Sequence, residues 1–270
     1  MIVYIMAMKC EAEPFINRLM LKRDPSYTNL EVYLGDDIRL CVTGMGKIDA
    51  ASAVSQLLSS LPDPENALIV NAGTCAGRSQ GTLYRINRIY DSDSSKDQYP
   101  DLIYKTDYPE MCLHTSDSYK TDDCFEDEMG EFVCDMEGSA IIRVASSFVS
   151  PDRILMFKIV SDLAEPELVT YEYCVELIGR YTDNIIEAVN RIKSGLISRD
   201  PYEQADMLCE KYASELHCTG YMTNALSRII RYALSEGIDV DNMLTPYLPV
   251  LSKKEGKEVL SDVERKLILR

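Results

Sequence analysis

Residues 67–77, with the sequence ALIVNAGTCAG, decide the fold class. Ala67–Asn71 is a continuous apolar run that predicts a buried strand, and Gly73 is expected to stop it. The glycines that follow place a loop where the strand ends. A strand buried on both faces needs helices packed on each of them. The stretch therefore indicates an α/β domain, for which the neighbouring sequence should supply the helices.

The sequence on both sides of this stretch alternates between strand and helix patterns. Further strands are predicted at residues 2–6, 31–34, 38–42, 83–90 and 153–160. Helices are predicted at residues 11–21, 47–61, 137–149 and 168–192. We therefore expect a three-layer α/β fold, a mixed, mainly parallel sheet flanked by helices. Residues 91–130 are expected to be a long loop with at most short elements.

The last part of the chain has a different character. Amphipathic helical patterns follow Ser198 at residues 202–216, 222–234 and 255–269. We expect two domains: an α/β domain at residues 1–197 and a small C-terminal helical appendage of unknown role at residues 198–270.

The composition argues against several classes of function. A formal net charge of -16 would repel phosphate backbones, so nucleic acid is not expected as a partner. The 9 scattered cysteines include no C-x-x-C pair, which indicates reduced thiols in a cytoplasmic protein, and 2 histidines exclude a His-rich metal site. The first apolar run is too short for a membrane helix and lacks a basic leader, so no membrane association is expected. Neither a metal nor an organic cofactor is implied.

Three carboxylates and a glycine-rich loop lie at the predicted strand ends. Glu11 and Asp162 follow strands, Glu137 precedes a helix, and residues 73–77 form the loop. Each feature alone has an ordinary structural explanation, as a first-turn carboxylate, an N-cap or a tight turn. In a doubly wound sheet, however, such strand ends converge on one crevice. We therefore expect these groups to share a pocket.

Five short motifs occur in an order that is typical of one family. They are Ala7-Met8-x-x-Glu11, Thr43-Gly44-Met45-Gly46-Lys47, Asn71-Ala72-Gly73-Thr74, Met136-Glu137-x-x-Ala140-Ile141 and Ser161-Asp162-x-Ala164. Together they resemble the nucleoside phosphorylase superfamily, and most closely its methylthioadenosine/S-adenosylhomocysteine nucleosidase branch, from the chain start to about Ile192. The resemblance implies hydrolysis of the N-glycosidic bond of an adenosine-type nucleoside by a homodimer. It does not choose the 5′-substituent.

The resemblance also implies a role for each matched residue. Asp162 would be the general acid toward N7 of the purine, which requires a carboxyl that keeps or shares a proton in a dry pocket. Ser161 would support Asp162, and Glu11 would bind and activate the attacking water. Glu137 would accept hydrogen bonds from the ribose 2′- and 3′-hydroxyls, with Met136 packing against the sugar.

Four further residues complete the predicted substrate site. Thr74 takes the place of the family's serine beside the ribose, and Gly73 and Met8 belong to matched motifs in the same region. Tyr119 lies in a segment that resembles the one supplying the family's adenine-stacking aromatic. An ordinary loop tyrosine stays an alternative there, because the chain has 17 tyrosines.

The chain departs from the family pattern in several places. The segment before Met136 is shortened, which leaves the base-binding wall and the 5′-pocket undetermined. Lys158 stands where the family has an arginine. Cys75 lies in the glycine-rich loop, where we expect a space-filling role because no histidine is adjacent to activate the thiol. The helical extension has no counterpart in the family pattern.

Three alternative functions stay open from the sequence. A purine nucleoside phosphorylase needs an anion site, for which Arg78 is the candidate, whereas a carboxylate at Glu11 would repel phosphate. A non-catalytic nucleoside-binding module with a helical output domain would have no use for both an acid and a base. A dinucleotide-dependent oxidoreductase is disfavoured because no G-x-G-x-x-G follows the first strand.

Overall fold

The computed structural model of the chain describes residues 1–119, 124–196 and 201–268. The chain divides into two compact units, Met1–Leu196 and Ile197–Arg270, and each has a hydrophobic core of its own. Within the described ranges, no helix combines the length and the apolar character needed to cross a membrane.

The first unit is built on one sheet. Its strands are β1 Ile2–Met6, β2 Lys22–Arg23, β3 Glu31–Gly35, β4 Ile38–Val42, β5 Leu68–Ala76, β6 Leu83–Asp91, β7 Lys96–Gln98, β8 Glu110–Thr115, β9 Glu126–Asp127, β10 Gly130–Asp135 and β11 Ile154–Asp162. They lie in the order β2-β3-β4-β1-β5-β11-β6-β8-β10-β9, with β7 paired to β6. A further pairing of Cys134 with Ala76 joins β10 to β5 and closes β5, β11, β6, β8 and β10 into a barrel.

The expectation of a mixed sheet is confirmed, but the sheet is partly a closed barrel and is less uniformly parallel than expected. Parallel ladders join β1 to β4 and β5, β5 to β11, β6 to β8 and β8 to β10. Antiparallel ladders join β6 to β11, β10 to β5 and the edge strands to their neighbours. The reason is barrel closure, because β6 returns beside β11 in the opposite direction and starts the second half of the barrel.

The strand predicted at residues 67–71 is longer than expected. β5 continues through Gly73 to Ala76 and pairs with β11 along this length, from Ile69 opposite Ile154 to Ala76 opposite Asp162. Gly73 therefore does not end the strand. All residues of β11 are buried, as expected for a strand covered on both faces.

Helices cover both faces of the sheet. One face carries α2 (Lys47–Ser59) and α3 (Gly138–Ala145), which share a core with β1 and β5. The other face carries α1 (Lys9–Arg18), α4 (Tyr171–Gly179) and α5 (Thr182–Gly195), which form a second core.

Two local predictions differ from the structure. The single helix predicted at residues 168–192 is two helices, because the chain breaks at Arg180 and Tyr181, where the Tyr181 hydroxyl donates to the carbonyl of Gly81. The region predicted as a loop at residues 91–130 contributes β8 to the barrel. Leu113 of β8 is fully buried, so tertiary packing stabilises a strand that the polar surroundings conceal in the sequence.

The second unit is helical over its described residues. Its helices are α6 Pro201–Glu215, α7 Gly220–Ser235, α8 Val240–Leu244 and α9 Lys253–Ile268. Tyr212, Leu226 and Ile230 are among its fully buried core residues. A Cβ at Gly256 would lie 2.0 Å from the Leu216 carbonyl oxygen, so this glycine permits the close packing of α9. Leu269, the end of the last predicted helical pattern, lies outside the described residues.

Candidate active site

A cavity of about 460 Å³ lies at the carboxyl ends of β5, β10 and β11. This volume is typical of small-molecule sites. Nearly all of the predicted site residues line it, namely Met8, Glu11, Thr74, Tyr119, Met136, Glu137, Ser161 and Asp162. The remaining one, Gly73, packs against the carboxylate of Glu11.

Both carboxylate oxygens of Glu11 accept hydrogen bonds. Met8 precedes α1, and Glu11 lies in the first turn of this helix. The Glu11 side chain folds back, so that its Oε2 accepts from the amides of Ala7 (3.1 Å) and Met8 (3.0 Å). Its Oε1 accepts from the amide (2.7 Å) and the hydroxyl (3.0 Å) of Thr74. A Cβ at Gly73 would lie 2.7 Å from Oε1, so the glycine makes room for the carboxylate. Four donors therefore fix a buried carboxylate in one orientation.

Asp162 has different surroundings at the end of β11. Its Oδ1 accepts from the amide of Glu165 at 2.8 Å. The Ser161 hydroxyl lies 2.7 Å from Asp162 Oδ2 and 3.1 Å from the carbonyl oxygen of Cys75. The Ser161 hydroxyl has a single proton, for which Asp162 Oδ2 and the carbonyl oxygen of Cys75 compete. Asp162 therefore has fewer donors committed to it than Glu11 has.

Glu137 lies immediately before α3. Its Oε1 accepts from the amide of Gly46 at 2.6 Å. Gly46 has φ +90°, a backbone conformation that favours glycine and that directs this amide toward the carboxylate. Burial, followed by the nearby charge of Asp135, raises the pKa of Glu137 to about 7, although Lys158 acts in the opposite direction.

The sequence interpretation did not give a role to the buried pair of Lys158 and Asp135. Lys158 Nζ lies 2.8 Å from Asp135 Oδ2, and both side chains are almost inaccessible to solvent. Burial lowers the pKa of Lys158, but the carboxylates of Asp135, Glu137 and Glu11 together raise it above its ordinary value. Asp135 also accepts from the Thr115 hydroxyl at 2.7 Å. The substitution of the family's arginine by Lys158 was the available signal, since a buried cation needs a buried anion.

The local charge does not favour an anionic ligand. Asp135, Glu137 and Glu11 all act on the one ammonium of Lys158. Arg78, the candidate for a phosphate site, does not line the cavity and instead contacts Glu126 Oε2 at 3.1 Å. Cys75 lines the cavity but burial raises the pKa of its thiol well above the ordinary value, which fits the expected space-filling role.

Aromatic side chains form another part of the cavity wall. Tyr119 is about half exposed, and its hydroxyl lies 3.7 Å from the sulfur of Met45. His114 and Phe132, which the sequence interpretation missed, also line the cavity and stack in parallel at 3.8 Å. Both lie in the shortened segment, where no motif of the resemblance could mark them.

Comparison with known proteins supports the resemblance that the motifs suggest. No family model matches the chain. Its sequence is 27% identical over 233 residues to the 5′-methylthioadenosine/S-adenosylhomocysteine nucleosidase of Arabidopsis thaliana, covering 71% of this chain and 89% of the relative.

Solved structures with these names share the fold. The apo 5′-methylthioadenosine nucleosidase of Arabidopsis thaliana superposes with a TM-score of 0.55 at 20% identity, covering 72% of this chain and 98% of the other. The nucleosidase of Colwellia psychrerythraea 34H in complex with adenine gives 0.56 at 16% identity, covering 71% and 94%. In its motifs, its sequence and the fold of its first unit, the chain therefore resembles the 5′-methylthioadenosine/S-adenosylhomocysteine nucleosidase branch of the nucleoside phosphorylase superfamily.

Proposed function

We propose that the chain is a nucleosidase, an enzyme that hydrolyses the N-glycosidic bond of an adenosine-type purine nucleoside with a 5′-substituent. The products are adenine and a free ribose derivative. The observation that carries the proposal is that Glu11, Glu137 and Asp162, from three distant segments, line one cavity. A base, a sugar-binding carboxylate and an acid are the groups that this cleavage needs.

Asp162 acts as the general acid. Its proton passes to N7 of the purine as the bond between C1′ and N9 breaks, so the electron pair of that bond leaves with a neutral base. Ser161 keeps the carboxyl oriented, because its hydroxyl lies 2.7 Å from Asp162 Oδ2 and is itself held 3.1 Å from the carbonyl oxygen of Cys75.

Glu11 acts as the general base. Its carboxylate binds a water molecule, takes one proton from it and leaves the oxygen free to bond to C1′. Thr74 and the amides of Ala7 and Met8 hold the carboxylate while the proton arrives. Exchange with solvent then returns the proton balance, since Asp162 has lost one proton and Glu11 has gained one.

Glu137 and Met136 hold the ribose. Glu137 accepts hydrogen bonds from the 2′- and 3′-hydroxyls, and its charge stabilises the positive charge that develops on the sugar. Lys158 favours the ionised form of Glu137, whereas burial and Asp135 act in the opposite direction and raise the pKa of Glu137. Tyr119 stacks on the base from the aromatic part of the wall.

Phosphorolysis is the competing reaction at such a site. The outward orientation of Arg78 and the carboxylates around Lys158 favour water over phosphate. A pure nucleoside-binding module would not need the two carboxyl groups of Glu11 and Asp162 in their contrasting surroundings.

The test is adenine release from adenosine, 5′-deoxyadenosine, 5′-methylthioadenosine and S-adenosylhomocysteine, each with and without phosphate. We expect release from at least one 5′-substituted nucleoside at a rate that phosphate does not change, with free ribose derivative as the second product. A requirement for phosphate and a ribose 1-phosphate product would establish phosphorolysis. Stoichiometric binding without turnover would establish the binding module.

The remaining assignments rest on the resemblance and on the chain division. We place the nucleosidase domain at residues 1–197 and a helical extension of unassigned role at residues 198–270. We further propose that the chain is a cytoplasmic homodimer that acts in methionine salvage. Light scattering on the purified chain tests the dimer.

A further inference from the structure

A partly buried ion cluster beside the cavity has no part in the mechanism above. We call it the Lys47 cluster; it consists of Lys47, Asp91, Asp93 and Asp117. Lys47 Nζ lies 3.2 Å from Asp91 Oδ1, 2.7 Å from Asp93 Oδ2 and 3.5 Å from Asp117 Oδ2. The Lys47 side chain is only 15% exposed, so its interactions are screened less than those of a surface pair.

The cluster joins three segments that are distant in sequence. Lys47 begins α2, Asp91 ends β6 with Asp93 two residues later, and Asp117 follows β8. The amide of Asp117 donates to Asp93 Oδ2 at 2.9 Å, and the hydroxyl of Ser139 donates to Asp91 Oδ2 at 2.8 Å. The loop after β6 is therefore attached to α3 as well as to α2.

The cluster is connected to two residues of the candidate site, Glu137 and Tyr119. Gly46, which precedes Lys47, donates its amide to Glu137. Tyr119 lies two residues after Asp117 and contacts Met45 on the same turn as Gly46. Lys47 is thus connected through Gly46 to the ribose carboxylate, and through Asp117 to the aromatic group proposed to stack on the base.

The charges indicate what the lysine prevents. Burial would raise the pKa of Asp91, but the Ser139 hydroxyl, the Ser94 amide and Lys47 lower it to about 2, so it stays ionised. Without the ammonium, three close carboxylates would repel one another. Asp117 is the most exposed of the three carboxylates, at 61% against 45% for Asp93 and 14% for Asp91, so it has the most freedom to move. Its movement would carry Tyr119 away from the cavity.

We propose that Lys47 is a positioning residue that holds Tyr119 against the purine base, an inference that rests on the proposed nucleosidase function. Lys47→Met should raise KM for the nucleoside about tenfold and change kcat by less than about threefold, because stacking is the same in the ground and transition states. Lys47→Arg, which keeps the charge, should return KM to within about threefold of the wild type.

The control is Lys193→Met, which removes the same charge from a pair with Asp37 outside the cavity lining and should leave KM unchanged. In a Tyr119→Ala background, Lys47→Met should raise KM less than twofold further, because its effect acts through the absent ring. An unchanged KM, a loss confined to kcat, or full additivity with Tyr119→Ala would each overturn the proposal. Circular dichroism confirms that each variant is folded.

The same variants separate this inference from the proposed function. If the wild-type chain releases adenine from no nucleoside, the nucleosidase assignment fails. Calorimetric titration with adenine then tests Lys47 directly. An affinity about tenfold weaker in Lys47→Met supports the positioning role, whereas equal affinity, or no binding by the wild type, overturns it.

Discussion

Glu11 and Asp162 are buried carboxyl groups that line one cavity, yet the number of hydrogen-bond donors around them differs. Glu11 accepts from three backbone amides and a hydroxyl, a set of donors that complements a carboxylate. Asp162 accepts one amide hydrogen bond and faces a serine hydroxyl whose single proton the Cys75 carbonyl also attracts. The proposed base and the proposed acid thus differ in their partners, not in their residue chemistry.

This difference shows how one site can hold a base and an acid made of the same functional group. The donors around Glu11 come from the residues just before α1 and from β5. The carbonyl of Cys75, which accepts from the Ser161 hydroxyl, also belongs to β5. β5 therefore supplies donors to one carboxyl group and a competing acceptor to the other. The roles of Asp162 and Glu11 can therefore be tested separately.

The largest expected effect is loss of the acid. Asp162→Asn should lower kcat about 10³-fold, because the amide cannot give a proton to N7. A riboside with a leaving group that departs as a stable anion, such as p-nitrophenolate, should lose less than about tenfold, since it needs no acid. Asp97→Asn, at an exposed pair with Arg88, is the matched control. Equal losses on both substrates would contradict the assignment of Asp162.

Loss of the base should be smaller and reversible. Glu11→Ala should lower kcat about 10²-fold, because the attacking water loses its proton acceptor while the acid stays intact. Added formate should restore part of the rate, since it can occupy the space beside the amides of Thr74 and Met8. Chloride at the same ionic strength is the control. A rate that formate does not change would argue that Glu11 has only a structural role.

The sequence is sufficient to predict the three carboxyl groups that line the site, because strand ends are local features. Glu11, Glu137 and Asp162 each follow or precede an element whose pattern is clear, and parallel βα units direct such positions to the same edge. The motifs carry the same information for Ser161 and Thr74. All of these residues line the cavity.

Other features depend on contacts that no local pattern records. Barrel closure rests on the pairing of Cys134 with Ala76, nearly sixty positions apart in sequence, so the sequence did not predict the closure. The stacking of His114 on Phe132 depends on another long-range contact, the parallel pairing of β8 with β10. The number of hydrogen-bond donors, which distinguishes Asp162 from Glu11, is likewise set only in three dimensions.

A substitution at Gly73 can shift the carboxylate of Glu11 while leaving Glu11 itself unchanged. Gly73→Ala would place a Cβ 2.7 Å from Glu11 Oε1, so the carboxylate must move while its chemistry is unchanged. We expect kcat to fall about 30-fold, because small displacements of a catalytic group are costly. Gly179→Ala adds the same methyl where nothing lies within 4 Å and should leave kcat within about twofold. Equal rates for the two variants would show that the position of Glu11 is not critical.

The smallest expected effect concerns Glu137, the third carboxyl group that lines the cavity beside Glu11 and Asp162. Its pKa of about 7 predicts that kcat/KM rises about tenfold between pH 6 and pH 8, as the ribose-binding carboxylate ionises. The same raised pKa acts on stability. Between about pH 4.5 and 7 the folded chain keeps a proton that the unfolded chain has released, so the free energy of unfolding falls by about 3 kcal/mol as the pH rises. Glu137→Gln should show neither the rise in kcat/KM nor this fall, measured by urea unfolding at pH 5 and 7.5. If the variant keeps the pH dependence of kcat/KM, the titrating group belongs elsewhere, and the ionisation of Glu137 does not control ribose binding.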